Sequence, residues 1–454
     1  MRATFLTALI LAAANGAAIA QDTSSAQRDP PAGIDTLLAA ALMANPRILA
    51  ARDRIEAARA REHAAGLLPD PVLSIGIQNV PIGRERGEVS QVGDLPDMMT
   101  MRMAGVGQSI PFPGKRSLER RIAHHETESA EARLLAVQRE VVREVREMYY
   151  SLAFQDRSLE ILARNEEVLA GLIRTTDARY VIGFATQPDV LKTRIEMGRL
   201  AEEAVLLTEE RRATLAQLNS LLDRETDLPV GTARIPQRVE HAAVAATAEA
   251  VRFTSSALSA HAADSPLPSL QALQATALRN NAELLALEAM LRAQAARAER
   301  ARKDYLPDFD LSLMYGQRSR RPDMVTATIS VPVPWQKGRK HDQLASAADR
   351  ELSALEAEHH EQANRVRARV AELYAGLDGL RAQLGLYVKA ILPQSSASLS
   401  SATAAVPVGR ADFQGLLDAH TTVLRYEIAY HRALADFATR LAALEAIVGK
   451  EILQ

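Results

Sequence analysis

The chain has 454 residues and a formal net charge of −2, with 54 basic and 56 acidic side chains interspersed along it and aromatic residues at only 4%. That balance offers no basic field to a nucleic-acid partner, and the absence of cysteine excludes disulfides, thiolate metal sites and lipidation of a cysteine. An Ala-, Leu-, Arg-, Glu- and Gln-rich composition poor in aromatics is that of long helices rather than of a sheet-rich enzyme.

In chain order, Arg2, an apolar stretch from Phe5 to about Ala14, and Ala18-Ile19-Ala20 before Gln21 have the layout of a cleaved export signal, predicted as residues 1–20. Beyond it no run approaches the roughly 20 apolar residues of a spanning helix, so a membrane crossing would have to use strands. A linker and a helix are expected over 21–70, with Asn45-Pro46 opening the helix and Leu67-Leu68-Pro69 ending it.

Residues 71–112 hold a first pair of alternating segments. Leu73, Ile75 and Ile77 oppose Ser74, Gly76 and Gln78, while the second segment, from about Met98 to Ile110, alternates less cleanly. A long helical hairpin is expected over 113–222. Its first arm runs from Gly114 to Gly183 with only Gly171 inside it. Val137, Val141, Val145, Met148, Leu152, Leu159 and Leu162 form an a/d-like seam on this arm. Leu134, Leu135, Val142 and Ile161 start a second seam, which implies two neighbouring helices. At 1.5 Å per residue, a helix of about 65 residues is close to 100 Å long, beyond any compact domain of this size. The turn from Tyr180 to Pro188 contains Gly183, able to take φ > 0, and Pro188 at an N1-like site.

Residues 223–268, rich in Asp, Pro, Gly, His, Ala and Ser, are expected to form an equatorial side region outside the main bundle. The second half then repeats the first: a helix over 269–307, a strand pair over 308–334, a hairpin over 335–448 and a tail over 449–454. Asn45-Pro46 returns as Asn281-Ala282, Leu68-Pro69-Asp70 returns as Leu306-Pro307-Asp308, and Ile110-Pro111-Phe112-Pro113-Gly114-Lys115-Arg116 is echoed by the run from Val331 to Arg339. Gly183 and Asp189-Val190-Leu191 pair likewise with Gly409 and Gly415-Leu416-Leu417-Asp418. Ordered echoes at an offset of about 237 residues imply a duplicated unit.

The third and fourth alternating segments are clearer than the second. Phe309, Leu311, Leu313 and Tyr315 oppose Asp308, Asp310, Ser312 and Gly316; Val325, Ala327, Ile329 and Val331 oppose Thr326, Thr328 and Ser330. Each is close to the 9–11 residues of a tilted outer-membrane strand. A soluble antiparallel sheet with one wet face gives the same pattern in any single segment. Four such segments in an exported chain with over-long helices favour a barrel, and since about eight strands are needed for closure, three chains of four strands are the economical solution. The expected fold is mainly α with a transmembrane β-barrel: duplicated helical hairpins forming an α-barrel, and four strands per chain completing a 12-stranded barrel in a trimer.

These residues resemble the TolC family of outer-membrane efflux proteins over essentially the whole length after the signal. The likeness rests on Asn45-Pro46, the repeated Leu-Pro-Asp, the tip Arg179-Tyr180-Val181-Ile182-Gly183 with Asp189-Val190-Leu191, and Leu417-Asp418-Ala419-His420-Thr421-Thr422 at the second tip. It implies a homotrimer with an outer-membrane barrel in lipid, a periplasmic helical barrel and an equatorial belt, docked to a periplasmic membrane-fusion adaptor and an inner-membrane pump of the resistance-nodulation-division type. The segment from Gly76 to Arg116 looks most like the heavy-metal branch, serving cobalt, zinc, cadmium, copper or silver pumps, ahead of drug export or type I secretion. A different class, a periplasmic coiled-coil adaptor without a pore, would lack the strands.

By the same resemblance, Asp418 matches a lumen-facing Asp that forms a ring at the constriction, where converging carboxylates repel one another and attract cations. A solvated helix face is the alternative. Gly415 stands where the family often has a second Asp, and Val406 where it often has a closing Tyr, leaving Arg410 and Asp412 as latch candidates. Tyr180, Gly183, Asp189 and Gly409 are candidates for adaptor docking, although Asp189 could simply favour a helix N-terminus. Met98, Met99, Met101 and Met103 form a soft-ligand cluster, of which Met99, Met101 and Met103 share one strand face and are the candidate metal ligands; packing against lipid or loop is the alternative. No phosphate loop, zinc signature or nucleophile spacing is present, so no enzyme activity and no cofactor are expected.

Overall fold

The computed structural model describes residues 33–79, 100–244, 267–318, 321–333, 335–406 and 413–453. The signal at 1–20, Met98, Met99, Gly409, Arg410 and Asp412 lie outside the described residues.

Each repeat begins with two helices where the sequence reading expects one. Helices α1 (Ile34–Ala44) and α2 (Pro46–Ala64) bend by 43° at Asn45. Strands β1 (Val72–Gln78) and β2 (Met101–Ile110) follow, then the 67-residue helix α3 (Lys115–Val181) and its return α4 (Gln187–Leu221). After a short helix α5 (Gln237–Val244), the pair recurs as α6 (Leu270–Asn280) and α7 (Ala282–Lys303), joined at Asn281. Then come β3 (Phe309–Arg318), β4 (Met324–Ser330), α8 (Asp342–Leu386), α9 (Leu392–Ala405) and α10 (Phe413–Val448). No single described helix is long and apolar enough to cross a membrane.

The junction residues explain the double start. The Asn45 side-chain oxygen accepts from the Arg47 N–H at 2.9 Å, capping α2, while Pro46 at the first helical position needs no N–H partner. The Asn45 amide also donates to the Leu221 carbonyl at 2.8 Å, closing an otherwise orphaned end of α4. Asn281 repeats this arrangement. It caps α7 through Glu283 and Leu284 and donates to the Ile447 carbonyl near the end of α10.

The second long arm is less regular than the first. It opens in a π-helical turn, Lys337–His341, and a second one, Tyr387–Ile391, separates α8 from α9. Pro393 follows in the first turn of α9 and has no N–H to give to the preceding turn, which the wider turn accommodates. The first arm has no proline and runs unbroken.

The four strands form one antiparallel sheet in the order β1-β2-β3-β4, with Met103 opposite both Gly76 and Gly316, and Gly316 opposite Met324. Among the described residues, β1 and β4 each keep one unpaired edge. The main core joins Leu37, Val141, Val145, Leu152, Leu218, Leu377, Phe437 and Leu444, and so ties both hairpins together. Residues 223–268 were expected outside the bundle. Their described part packs against the bundle, with Val230, Ala233, Val239 and Ala243 in the same cluster as Val141 and Leu218. Asp156 on α3 fastens it, accepting from the Ala233 N–H at 2.9 Å and from Arg211 at 2.5 Å. A second cluster, including Phe154, Leu162, Leu169, Leu200 and Leu424, continues toward the hairpin tips.

Candidate functional site

The sheet has two chemically distinct faces. Register places Leu73, Ile75, Ile77, Val106, Leu311, Leu313, Val325 and Ile329 on one face, and every one of them is exposed, Ile75 by 81%. Alternation puts Ser74, Gln78, Gly105, Ser109, Asp310, Ser312, Thr326, Thr328 and Ser330 on the other. An apolar face left this open in water is far outside the habit of soluble proteins and fits hydrocarbon. At the foot of the sheet Phe112 stacks on Phe309 with centroids 6.4 Å apart, and Trp335 is 89% exposed, in the manner of an interfacial aromatic belt.

Met101 and Met103 lie on the polar face of the sheet. Met314 and Met324 join them there, and sequence reading missed both; the available signal was their parity with Gly316 and Thr326 in otherwise alternating strands. Met99 lies outside the described residues.

At the foot of the sheet, two different repeat motifs bond to each other. Lys115, nearly enclosed, reaches Asp308 at 2.8 Å and Asp304 at 3.4 Å, and Asp308 also accepts the Phe112 N–H at 2.7 Å. Burial pushes the Asp308 carboxyl up, but these bonds outweigh it and hold the group below its usual range.

The first tip closes at Gly183, where φ is 78° and, among the described residues, no atom lies within 4 Å of the position a Cβ would take, so the positive φ is what favours glycine. The Phe184 N–H returns to the Arg179 carbonyl at 2.8 Å. Tyr180, Val181, Ile182 and Phe184 are all exposed there, Val181 by 81%, as a contiguous apolar tip. Asp189 is engaged locally: it accepts from the Thr186 N–H at 2.9 Å and hydroxyl at 2.7 Å, bonds that lower its pKa and start α4. The second arm is tied to the first by groups that sequence reading missed. Arg179 donates to the Val406 carbonyl at 3.4 Å and Lys192 to the Gln414 side chain at 2.6 Å.

Asp418 is exposed on the first turns of α10, which Leu416 and Leu417 anchor in the core. Two residues on, His420 is buried, its Nε2 without a hydrogen-bond partner among the described residues. It lines a cavity of about 260 Å³ with Leu169, Leu200, Leu424 and Ile428, and burial holds its imidazole below the usual range. Among the described residues no group of three or more His, Cys, Asp or Glu is placed to hold a metal ion.

A four-stranded sheet with an apolar face, set on two helical hairpins far longer than a globule needs, defines the protomer of a TolC-like outer-membrane channel. The outer membrane efflux protein family model matches residues 37–224 and 273–450, and the chain belongs to that family. Among solved structures it is similar to the outer-membrane channel OprN (TM-score 0.72, 18% identity, 93% of this chain and 91% of that one). It is also similar to CusC (TM-score 0.73, 15% identity, 92% of each chain) and to VceC of Vibrio cholerae (TM-score 0.71, 16% identity, 92% and 96%). No curated protein matches the sequence significantly.

Proposed function

We propose that three copies of this chain close their sheets into one barrel and form the outer-membrane duct of a tripartite efflux system, passing heavy-metal cations outward from a periplasmic adaptor and an inner-membrane pump. The observation that carries this reading is the sheet itself: one exposed apolar face, one polar face and, among the described residues, two unpaired edges. In hydrocarbon each unpaired backbone group costs several kcal/mol, so the edges must pair with further strands.

The internal repeat specifies how they pair. Ile110 stands opposite Phe309 in the chain, and Val331 and Asp70 are the echoes of Ile110 and Asp308. Carrying that register over sets Ser330 opposite Val72, Thr328 opposite Ser74 and Met324 opposite Gln78 of the next copy. The polar face of one copy then continues into the polar face of the next, and the apolar face into the apolar face. Asp70, exposed in one chain, takes the place of Asp308, and Arg339 after Gly338 stands in for Lys115 after Gly114.

Conduction through such a duct needs no catalytic group. Three Asp418 carboxylates converging near the axis would constrict the helical end and draw cations to it. The exposed apolar tip at Val181 and Phe184, with no described atom within 4 Å of a Cβ on Gly183, suits docking of an adaptor. The metal branch is supported by the Gly76–Arg116 segment. Its test is growth of a strain lacking the gene, with and without complementation, on gradients of copper, silver, zinc, cobalt and cadmium beside dyes and detergents. Selective metal sensitivity supports the metal duct; sensitivity to organic toxicants alone moves the same duct to drug export.

A further inference from the structure

We infer that Met101, Met103 and Met324, with Met314 beside them, form a thioether site for a soft monovalent cation, Cu(I) or Ag(I), on the polar face of the sheet near its outer end. The inference rests on the duct reading, which makes that face the lumen wall, and adds to it a ligand and a place.

Three methionines converge on one glycine. Gly316 is the direct cross-strand partner of Met103 on one side and of Met324 on the other. Met101 lies diagonally across and extends its side chain over the same glycine, so that a Cβ built on Gly316 would be 2.9 Å from the Met101 sulfur. Any side chain at 316 would therefore displace that thioether. One step down the sheet a Cβ on Gly105 would lie 2.8 Å from both the Leu313 carbonyl oxygen and Cγ of Met314, so this glycine leaves room for the backbone and side chain of its cross-strand methionine. Gly316 is the floor on which the Met101 thioether lies, and directly opposed or diagonal residues on one face are within reach of side chains as long as methionine.

The surroundings fit a weakly held guest. Alternation puts Arg318 on the same face one step outward, but its guanidinium is turned to the Pro322 carbonyl at 2.7 and 3.0 Å. Neutral, polarizable thioethers favour Cu(I) and Ag(I) over the harder Zn(II) and Co(II), which prefer imidazole, carboxylate or thiolate. A neutral site releases its cation more readily than a charged one, as conduction requires. Thioethers also have no proton to lose, so occupancy should not change between pH 5 and 7.5, unlike that of a His site.

The test uses the full chain purified in detergent, in nitrate buffers because chloride precipitates silver. Ag(I) binding is measured by equilibrium dialysis and sulfur coordination by X-ray absorption, for the wild type, for M101L/M103L/M324L and for M43L, a control at an exposed methionine on α1. Leucine keeps the volume of methionine without its ligand atom. Loss of an outer-shell partner weakens metal sites about 10- to 100-fold, and loss of the ligands themselves should cost at least as much. The inference predicts pH-independent Ag(I) binding in the wild type and in M43L, and loss of the silver–sulfur signal with at least tenfold weaker binding in the triple variant. Wild-type protein that does not bind Ag(I), or a triple variant that binds it equally well, overturns the site. Neither result bears on whether the protein conducts, which silver-free bilayer recording decides separately.

Discussion

Asn45 and Leu221 are joined by a 2.8 Å hydrogen bond from the side-chain amide to the backbone carbonyl, so one residue both starts α2 and closes the end of α4. Asn45→Ala removes a helix cap, worth about 1 kcal/mol, and strands a part-buried carbonyl, worth roughly 1–3 kcal/mol. Asn281→Ala should cost less, because its bond to Ile447 is longer at 3.3 Å. Thermal melting of the detergent-solubilised protein checks the order: wild type above Asn281→Ala above Asn45→Ala.

The repeat-derived register predicts which residues meet between copies, and a chain without cysteine makes that prediction clean to test. Ser74→Cys combined with Thr328→Cys should oxidise to a covalent trimer, since direct cross-strand pairs have Cα atoms within disulfide reach. Ser74→Cys with Ser330→Cys, one rung off on the same face, should cross-link much less. Equal cross-linking of both pairs, read on a denaturing gel, would refute the register.

α10 carries two imidazoles that the fold keeps neutral. Burial holds His420 below its usual range, and burial together with the nearby Arg157 pushes His431 down to about 4, although Glu427 and Glu160 pull the other way. Unfolded histidines take up a proton near 6.5. Between that value and about 4 the unfolded chain therefore holds more protons, and stability is lost as the pH falls through this window while it stays flat above it. His431→Gln keeps an acceptor for Arg157, which now donates to the ring at 3.3 Å. Melting temperatures between pH 7.5 and 4.5 should fall less steeply in this variant than in the wild type.

Gly183→Ala strains a positive-φ turn by roughly 1–2 kcal/mol, a local cost at a position where, among the described residues, an added Cβ meets nothing within 4 Å. Phe184→Ser removes exposed apolar surface and leaves the turn intact. If the tip is the docking surface, Phe184→Ser should lower resistance of the complemented strain while assembly and outer-membrane level, followed by immunoblot, stay unchanged. Full resistance would take the tip out of docking.

Much of the architecture is legible in the residues, for identifiable reasons. The strands betray themselves because membrane and water demand opposite chemistry at successive positions, as Leu73 to Gln78 and Val325 to Ser330 show. Asn45 and Asn281 read as helix starts because capping is local. Their bonds to Leu221 and Ile447 are invisible in one dimension because any backbone carbonyl can accept. The Arg179–Val406 tie was hidden for the same reason. The methionine cluster was only half legible. Met101 and Met103 are near neighbours in sequence, whereas Met314 and Met324 reach them through register that pairing alone reveals. How the equatorial segment attaches was not legible, because its polar composition outweighs the few residues, Val230, Ala233, Val239 and Ala243, that pack it against the bundle.

The central claim, a passive trimeric duct, is tested most directly by single-channel recording of the purified protein in planar bilayers, with Asp418→Asn beside the wild type. The account predicts discrete, cation-selective conductance steps from a heat-modifiable trimer, and reduced cation selectivity in Asp418→Asn. Protein that stays monomeric without detergent and never raises membrane conductance would contradict it.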